Sequence, residues 1–343
     1  MDTVSHMLLG GAIGQTTLGR RIGNKAVFWG AGIALLPDID VPIGALMGDA
    51  AALTFHRGIT HSLLFVTIAA VVIGWLASRI HAGDKVGWQN WSIMLWLVLL
   101  SHLAIDAFTS YGIQLLLPFS DQHFAIASIS VIDPLYTLPL LITVIWLLLL
   151  KPKRPARTVL AVSGITLSSL YLVFTLHNKS QVEDAFAATL AQRDISYQRM
   201  FVKPTIFNNV LWRAIVETPD GYLVGFHSRL DDRPPQDFVH FQRNAQYLVP
   251  HMGEPIVRDL LRVSDGYYQV VERDGELYFH DLRYGQAFEW LRDDRPHVFT
   301  YRLIPPRTER GRMDIETISL DVDRDRDPET ARELWNRMMG RQE

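Results

Sequence analysis

The chain has 343 residues, of which 48% are hydrophobic, and a formal net charge of −3. It holds no cysteine, which excludes thiolate metal sites, disulfides and thiol nucleophiles. The near-neutral balance, with no basic tract carrying interleaved aromatics, argues against nucleic acid as a partner.

The length allows two domains and the composition is uneven, with a strongly apolar first half and a remainder rich in Arg, Asp and Glu. The N-terminus lacks the basic segment, apolar core and small-residue cleavage site of a signal peptide, so residue 1 is expected in the mature protein. Thr3 to Gly19 is rich in Gly, Leu and Thr and carries His6; Arg20, Arg21 and Lys25 follow. Ala26 to Leu36 is apolar but only about 11 residues, or roughly 17 Å as a helix, too short to span a bilayer alone. It reads as a half-span ending in an acidic loop, Leu36-Pro37-Asp38-Ile39-Asp40. Four longer apolar segments come next: Ser62 to Ser78, Trp91 to Ile105, Pro134 to Leu150 and Thr158 to Leu176. Each approaches the ~20 residues that a spanning helix needs.

The most basic loop, Lys151 to Arg157, is placed in the cytoplasm by the excess of Lys and Arg on that side of membranes. Tracing alternate crossings back from it puts Arg79, Lys85, Arg20, Arg21 and Lys25 inside as well. His6, Asp38, Asp40, His56, His61, His102, Asp106 and the 107–133 loop all fall outside. Six crossings then leave both termini outside, provided that the short second segment crosses. The fold class expected is a polytopic α-helical membrane domain (1–177) followed by a small soluble α+β domain (178–343) on the outer face. In that second part Ala185 to Arg193 reads as a short helix, and Thr218-Pro219-Asp220-Gly221 and Arg273-Asp274-Gly275 read as hairpin turns between alternating segments. Val298 to Ile304 reads as a strand and Glu329 to Met339 as a closing helix.

Three polar clusters border the apolar runs. His102 and Asp106 stand at i, i+4 spacing on one helical face, and together they could bind one metal or bridge two through the carboxylate. At the end of an apolar segment, ionisable groups are costly and usually functional; in a soluble helix the same pair would be an ordinary surface pair. Asp38 and Asp40 need a cation to stay ionised side by side, or else form a solvated Pro-Asp turn. His56 and His61 flank a Gly-containing turn that can aim both imidazoles at one point, though either could instead snorkel to water. His6 joins them at the same level, with His123 and Asp133 as weaker candidates in the outer loop. Arg57 cannot ligate but can clamp a phosphate or carboxylate, and Thr60, Ser62, Thr109 and Ser110 suit hydrogen bonds behind the ligands.

His6 with its Gly-rich continuation, the Leu36–Asp40 loop, His56-Arg57-Gly58-Ile59-Thr60-His61-Ser62 and Ser101-His102-x-x-x-Asp106-x-x-Thr109-Ser110-Tyr111-Gly112 resemble the bacterial inner-membrane metal-dependent hydrolases of the YdjM type over roughly residues 1–180. The His-x-x-x-Asp element is also similar to that of zinc-dependent phospholipase C, whose further His-x-x-x-Glu is missing here. The resemblance implies a metal site more firmly than a substrate. The expectation is a divalent metal, zinc before manganese or iron, held by His6, Asp38, Asp40, His56, His61, His102 and Asp106. Asp38 or Asp40 is the candidate base, and Arg57 the contact for an anionic or lipid-like substrate. The reaction expected is hydrolysis of a phosphoester or other ester at the outer membrane face; the alternative is a non-enzymatic membrane protein with a structural metal and a partner-binding outer domain.

Overall fold

The computed structural model describes residues 1–152, 154–287, 289, 296–306, 311–318 and 328–340. They group into two compact units, Met1–Pro42 with Phe55–His177 and Ile206–Asn209, and Ile43–Thr54 with Asn178–Thr205 and Val210–Glu343.

The first unit is helical. In chain order the helices are α1 (Thr3–Thr17), α2 (Gly19–Ile22), α3 (Asn24–Ile33), α4 (Asp40–Met47), α5 (Asp49–Phe55), α6 (Leu63–Ile80), α7 (Trp88–Phe108), α8 (Pro134–Leu149) and α9 (Pro155–Gln192). The α4–α5 stretch leaves this unit from Ile43 to Thr54, and α9 from Asn178 onward. Starts are set by side-chain caps: Ser62 Oγ accepts from Phe65 N at 3.1 Å ahead of α6, and Asp133 Oδ1 accepts from Leu135 N at 3.0 Å with Pro134 at the first position of α8. Pro37, which has no N–H to donate, falls where the second apolar segment breaks; Leu36 before it keeps a helical backbone, with φ −61° and ψ −40°. A one-turn 3₁₀ helix, Pro37–Ile39, follows the break.

Three of the six expected crossings, α6, α7 and α9, are long and apolar enough to span a membrane. The bent pair Asn24–Ile33 and Pro37–Met47, at 44°, makes a fourth if it is one span. The other two, α1 with 15 residues and α8 with 16, fall short of the ~20 residues of a full span. A further difference lies at the end of the apolar half. The short helix expected from Ala185 and the last apolar segment are one helix, α9, of 38 residues and about 57 Å. No glycine or proline occurs between Ile165 and Gln192 to interrupt it, and Lys179 pairs with Glu183 across one turn at 3.5 Å.

Small residues let α1 and α3 approach backbone to backbone. A Cβ on Gly10 or Gly30 would overlap the other's carbonyl oxygen, and one on Gly14 would overlap Ala26 O. Gly10-x-x-x-Gly14 facing Ala26-x-x-x-Gly30 is the small-x-x-x-small arrangement that packs helices in lipid, where association gains little from the hydrophobic effect. Leu8, Leu9 and Ala12 of α1 then bury against Ile105 of α7 and Tyr136 and Leu140 of α8. Ala26 of α3 joins Val66, Ala70 and Ala77 of α6 and Trp91, Met94, Leu95, Leu99 and Leu103 of α7.

The second unit carries two four-stranded antiparallel sheets in sequential order. The first holds β1 (Arg199–Pro204), β2 (Leu211–Thr218), β3 (Gly221–Ser228) and β4 (Phe238–Phe241). The second holds β5 (Tyr268–Arg273), β6 (Glu276–Asp281), β7 (Thr300–Ile304) and β8 (Asp314–Ile318). Both expected hairpins are present, closing at Thr218↔Gly221 and Arg273↔Glu276. Asp274 and Gly275 both have positive φ, 54° and 79°, the twist that a two-residue hairpin turn favours. Helices α10 (Pro255–Val263) and α11 (Pro328–Met338) complete the unit. The described residues thus form a helical region followed by a region with two small antiparallel sheets, an α+β arrangement. Leu53 of α5 is buried in its core with Leu248, Val257 and Phe279.

Two predictions test these cores. Gly30→Val should lower the melting temperature of the detergent-solubilised chain, since overpacking costs ~1–3 kcal/mol; Gly32→Ala, where an added Cβ meets nothing within 4 Å, should leave it unchanged. The second concerns His280 and His297, stacked at 4.2 Å in the second unit. Burial, helped for His280 by charge on His297 and for His297 by Arg213, lowers their pKa values to about 3 and about 4. Both groups bind protons more readily unfolded, so stability is full above the ordinary histidine pKa of ~6.5 and falls with acid. Acidification from pH 7 to 5 should cost on the order of 2 kcal/mol per imidazole, read as a drop in the melting transition, and His280→Phe/His297→Phe should flatten that dependence.

Candidate metal centre

Four helix ends converge at one end of the first unit. His6 lies in the first turns of α1. Asp38 sits in the 3₁₀ turn after α3. His61 ends the short 3₁₀ helix Ile59–His61 ahead of α6, and His102 and Asp106 stand on the last turns of α7. Asp38, His61, His102 and Asp106 offer one ligand atom each within 4.8 Å of one another and could hold a metal ion.

The hydrogen bonds behind the histidines decide which nitrogens face inward. His102 Nδ1 donates to Ala34 O at 2.7 Å, since a carbonyl can only accept. Thr60 Oγ1 donates to Asp40 Oδ2 at 3.2 Å and therefore accepts from His61 Nδ1 at 3.1 Å. Both Nε2 lone pairs are left pointing at each other, 3.2 Å apart. Such a contact is repulsive unless a proton or a cation lies between them. Around them stand Asp38 Oδ1, 3.5 and 3.6 Å from the His61 and His102 Nε2 atoms, and Asp106 Oδ2, 3.5 and 3.4 Å from the same pair. A tetrahedron of ligands with ~2.0–2.1 Å bonds has edges of ~3.3–3.4 Å, so these separations fit a cation at the centre. Asp106 Oδ2 is buried with no hydrogen-bond donor among the described residues, which is the second mark of a site built around positive charge.

The remaining candidates surround this group. Asp40 is fully enclosed. Its Oδ2 takes the Arg57 backbone N–H at 2.6 Å and lies 3.3 Å from His61 Nδ1, and its Oδ1 is 3.5 Å from His56 Nδ1. It thus stands behind His61, on the side away from Asp38. His56, 30% exposed, lies beyond Asp40 with its ring 4.9 Å from Tyr111. The ring of His6 stacks on His102 at 3.7 Å, and its Nε2 is 3.2 Å from Asp106 Oδ1. That same oxygen receives the Met1 amino group and lies 3.3 Å from Arg57 Nη2. Arg57 is buried with φ 54°, an uncommon backbone for a side chain of this size. It is held there by Asp40 through its N–H and by Thr109 Oγ1 and Gly112 O through Nη1. Asp133 caps α8 and accepts from Tyr171 Oη at 2.9 Å, so it serves the helix start. Sequence reasoning missed the Ala34 carbonyl and the Met1 amino group, since backbone groups leave no trace in residue types. Of the polar residues placed behind the ligands, Thr60 and Thr109 take that position.

The YdjM inner membrane protein model matches residues 1–182, which include every residue of this cluster. The chain belongs to the YdjM inner membrane protein family. This YdjM-family chain is 30% identical over 182 residues to YfhP of Bacillus subtilis (strain 168), an uncharacterized protein, a match that takes in 50% of the chain and 51% of YfhP. The chain thus spans about half the length of that relative. It is 32% identical over 124 residues to the inner membrane protein YbcI of Escherichia coli (strain K12), covering 35% of the chain and 69% of YbcI. No solved structure matches. Family and helices together make this a multi-pass inner-membrane protein.

Metal titration of the purified chain tests the ligand set. His61→Ala and His102→Ala should each weaken binding by at least about a hundredfold, as an enclosed ligand is lost and charged neighbours stay unpaired. Asp40→Asn should cost about 10–100-fold, the usual effect of removing the partner that orients a ligating imidazole.

Proposed function

We propose that the chain is a membrane-bound metal-dependent hydrolase, acting on a phosphoester or another ester at the outer face of the inner membrane, with zinc as the preferred metal. The observation that carries this reading is the unequal burial of the four donors. His61, His102 and Asp106 are enclosed, whereas the Asp38 side chain is 27% exposed. Two histidines and one carboxylate are a ligand set of catalytic zinc, which keeps its fourth position open. Asp38 borders that position. A divalent ion there supplies Lewis acidity toward a phosphoryl or acyl oxygen and lowers the pKa of water.

The chain's own groups then divide the remaining work. Asp38, at the accessible rim, takes the proton of the attacking water. Asp40 keeps His61 in the Nδ1–H tautomer and fixes the Arg57 backbone. Arg57 holds Asp106 in place through Nη2 and adds positive charge that draws an anionic or lipid-like substrate. His6 packs flat against His102 and limits its rotation. His56, beside Asp40 and reachable from solvent, lies on the approach to the site. Zinc, manganese and iron all suit nitrogen and oxygen donors without thiolate. The Lys151, Arg154 and Arg157 loop supports a cytoplasmic position for the α8–α9 turn, from which the site and residues 178–343 are read as periplasmic.

One observation favours a structural metal instead: five of the six separations among the four donors, 3.2 to 3.6 Å, are near tetrahedral edges, and a closed four-ligand set is the mark of structural zinc. Asp38→Asn separates the two readings. As a base, Asp38 should be dispensable for binding: the variant keeps metal within about tenfold and loses turnover by about 10²–10⁴. As a fourth structural ligand it would take the metal with it. Turnover would be followed with metal-loaded wild type on phosphodiester, phospholipid and carboxylic ester panels. Metal loss in Asp38→Asn together with an inert wild type would overturn the hydrolase reading.

A further inference from the structure

The opposite end of the helical unit carries a feature that the metal centre does not use. Where α8 turns into α9, a groove of about 540 Å³ opens between the two helices, lined by Trp146 of α8, Leu150 just after it, and Ala156, Val159, Leu160 and Ser163 of α9. Its lining is apolar apart from Ser163, and Trp146 and Val159 expose more than half of their surface outward, where lipid lies around a spanning helix. Lys151 and Arg154 stand in the connecting loop between the groove-lining Leu150 and Ala156. Both are exposed and neither makes an ion pair among the described residues.

The loop is positively charged beyond these two. Arg157, in the first turn of α9, is fully buried. Its guanidinium donates to Gln15 Oε1 at 3.1 and 2.8 Å, to Asn24 Oδ1 at 2.6 Å, to Leu150 O at 2.7 Å and to Leu147 O. Every acceptor is neutral, so its donors are satisfied while its charge is not. The α2–α3 corner lies against the same loop, with Gly23 facing Pro152, and it adds exposed Arg20 and Arg21, again without ion pairs among the described residues. An apolar groove that ends at a set of unneutralised cations has the two-part chemistry of an anionic phospholipid.

We propose that the α8–α9 elbow is a binding site for an anionic phospholipid, with one acyl chain in the groove and the headgroup phosphate on Lys151 and Arg154. The buried Arg157 charge reinforces the headgroup position through its field, its hydrogens being already committed. The site stands apart from the metal-centre residues, and its occupant is a bound lipid of the host membrane distinct from any substrate. Trp146 suits the boundary between the two parts, because indole rings settle at headgroup level.

The test uses the full chain in detergent, equilibrated with equal amounts of phosphatidylglycerol and phosphatidylcholine and read by native mass spectrometry. One phosphatidylglycerol should be retained in preference to phosphatidylcholine. Lys151→Gln/Arg154→Gln should reduce that preference about thirtyfold, from ~1 kcal/mol for each cation near an anionic headgroup. Ser163→Phe, which fills the groove, should reduce retention of both lipids. Metal content measured alongside should be unchanged in both variants and confirms that the fold is intact. Equal retention of the two lipids by the wild type, an undiminished preference in the double variant, or displacement of phosphatidylglycerol by millimolar inorganic phosphate would each overturn the proposal.

Discussion

Two imidazole nitrogens held 3.2 Å apart with both lone pairs facing inward form a contact that the bundle must be built to maintain. Neither ring can turn away to relieve it. His102 is pinned from behind by the Ala34 carbonyl, and His61 by Thr60 and Asp40. Ala34 sits at the C-terminal end of α3, and the depth of α3 is set by the glycine contacts with α1. The glycines that bring these backbones together therefore fix a hydrogen bond at the candidate metal centre, and through it the tautomer of His102. An arrangement that only positive charge relieves is maintained by the same packing that makes the bundle.

Asp40 is the second point on which the centre turns. One carboxylate meets the His61 ring, the Thr60 hydroxyl, the Arg57 backbone and the His56 ring. It stabilises the left-handed conformation of Arg57, which in turn aims the guanidinium at Asp106. A single buried charge thus orients groups from the 56–61 segment toward ligands on α7. The strain of the Arg57 backbone is confined to a place where four hydrogen-bonding partners determine it, a common location for strained residues at functional sites.

Much of this was legible in the sequence, for identifiable reasons. The apolar runs located α6, α7, α8 and α9 because lipid and core demand the same residues. The i, i+4 spacing of His102 and Asp106 and the Gly-containing turn before His61 pointed to convergence because those spacings constrain direction. Residue types could not rank the candidates, however. Asp38 and Asp40 look equivalent in an extended loop, yet the 3₁₀ turn from Pro37 to Ile39 sends one carboxylate to the centre and the other behind His61. His56 and His61 look like a pair, but they meet opposite oxygens of Asp40, and of the two it is His61 that reaches Asp38 and Asp106. The length of α9 was missed because a polar patch at Asn178 to Lys179 reads as an end, while helix propensity carries the chain through it. The packing of Leu53 into the second unit had no local signal at all, since it depends on contacts with Leu248, Val257 and Phe279 far along the chain.

The two ends of the helical unit resolve buried charge in opposite ways, and the contrast explains why only one could hold a metal. Arg157 is a fully buried cation, and carbonyl and amide oxygens of Gln15, Asn24, Leu147 and Leu150 accept from it. Any helix terminus offers such acceptors, because its last carbonyls have no partner within the helix. Asp106 is a fully buried anion. Its Oδ1 is met by Arg57 and the Met1 amino group, but Oδ2 faces two imidazoles whose hydrogens are committed elsewhere. Donors are the scarcer resource at that end: the N–H groups of α7's last turns are spent within the helix, and each ring has one hydrogen. A proton on one ring or a bound cation is what remains to balance Asp106 Oδ2 and Asp38.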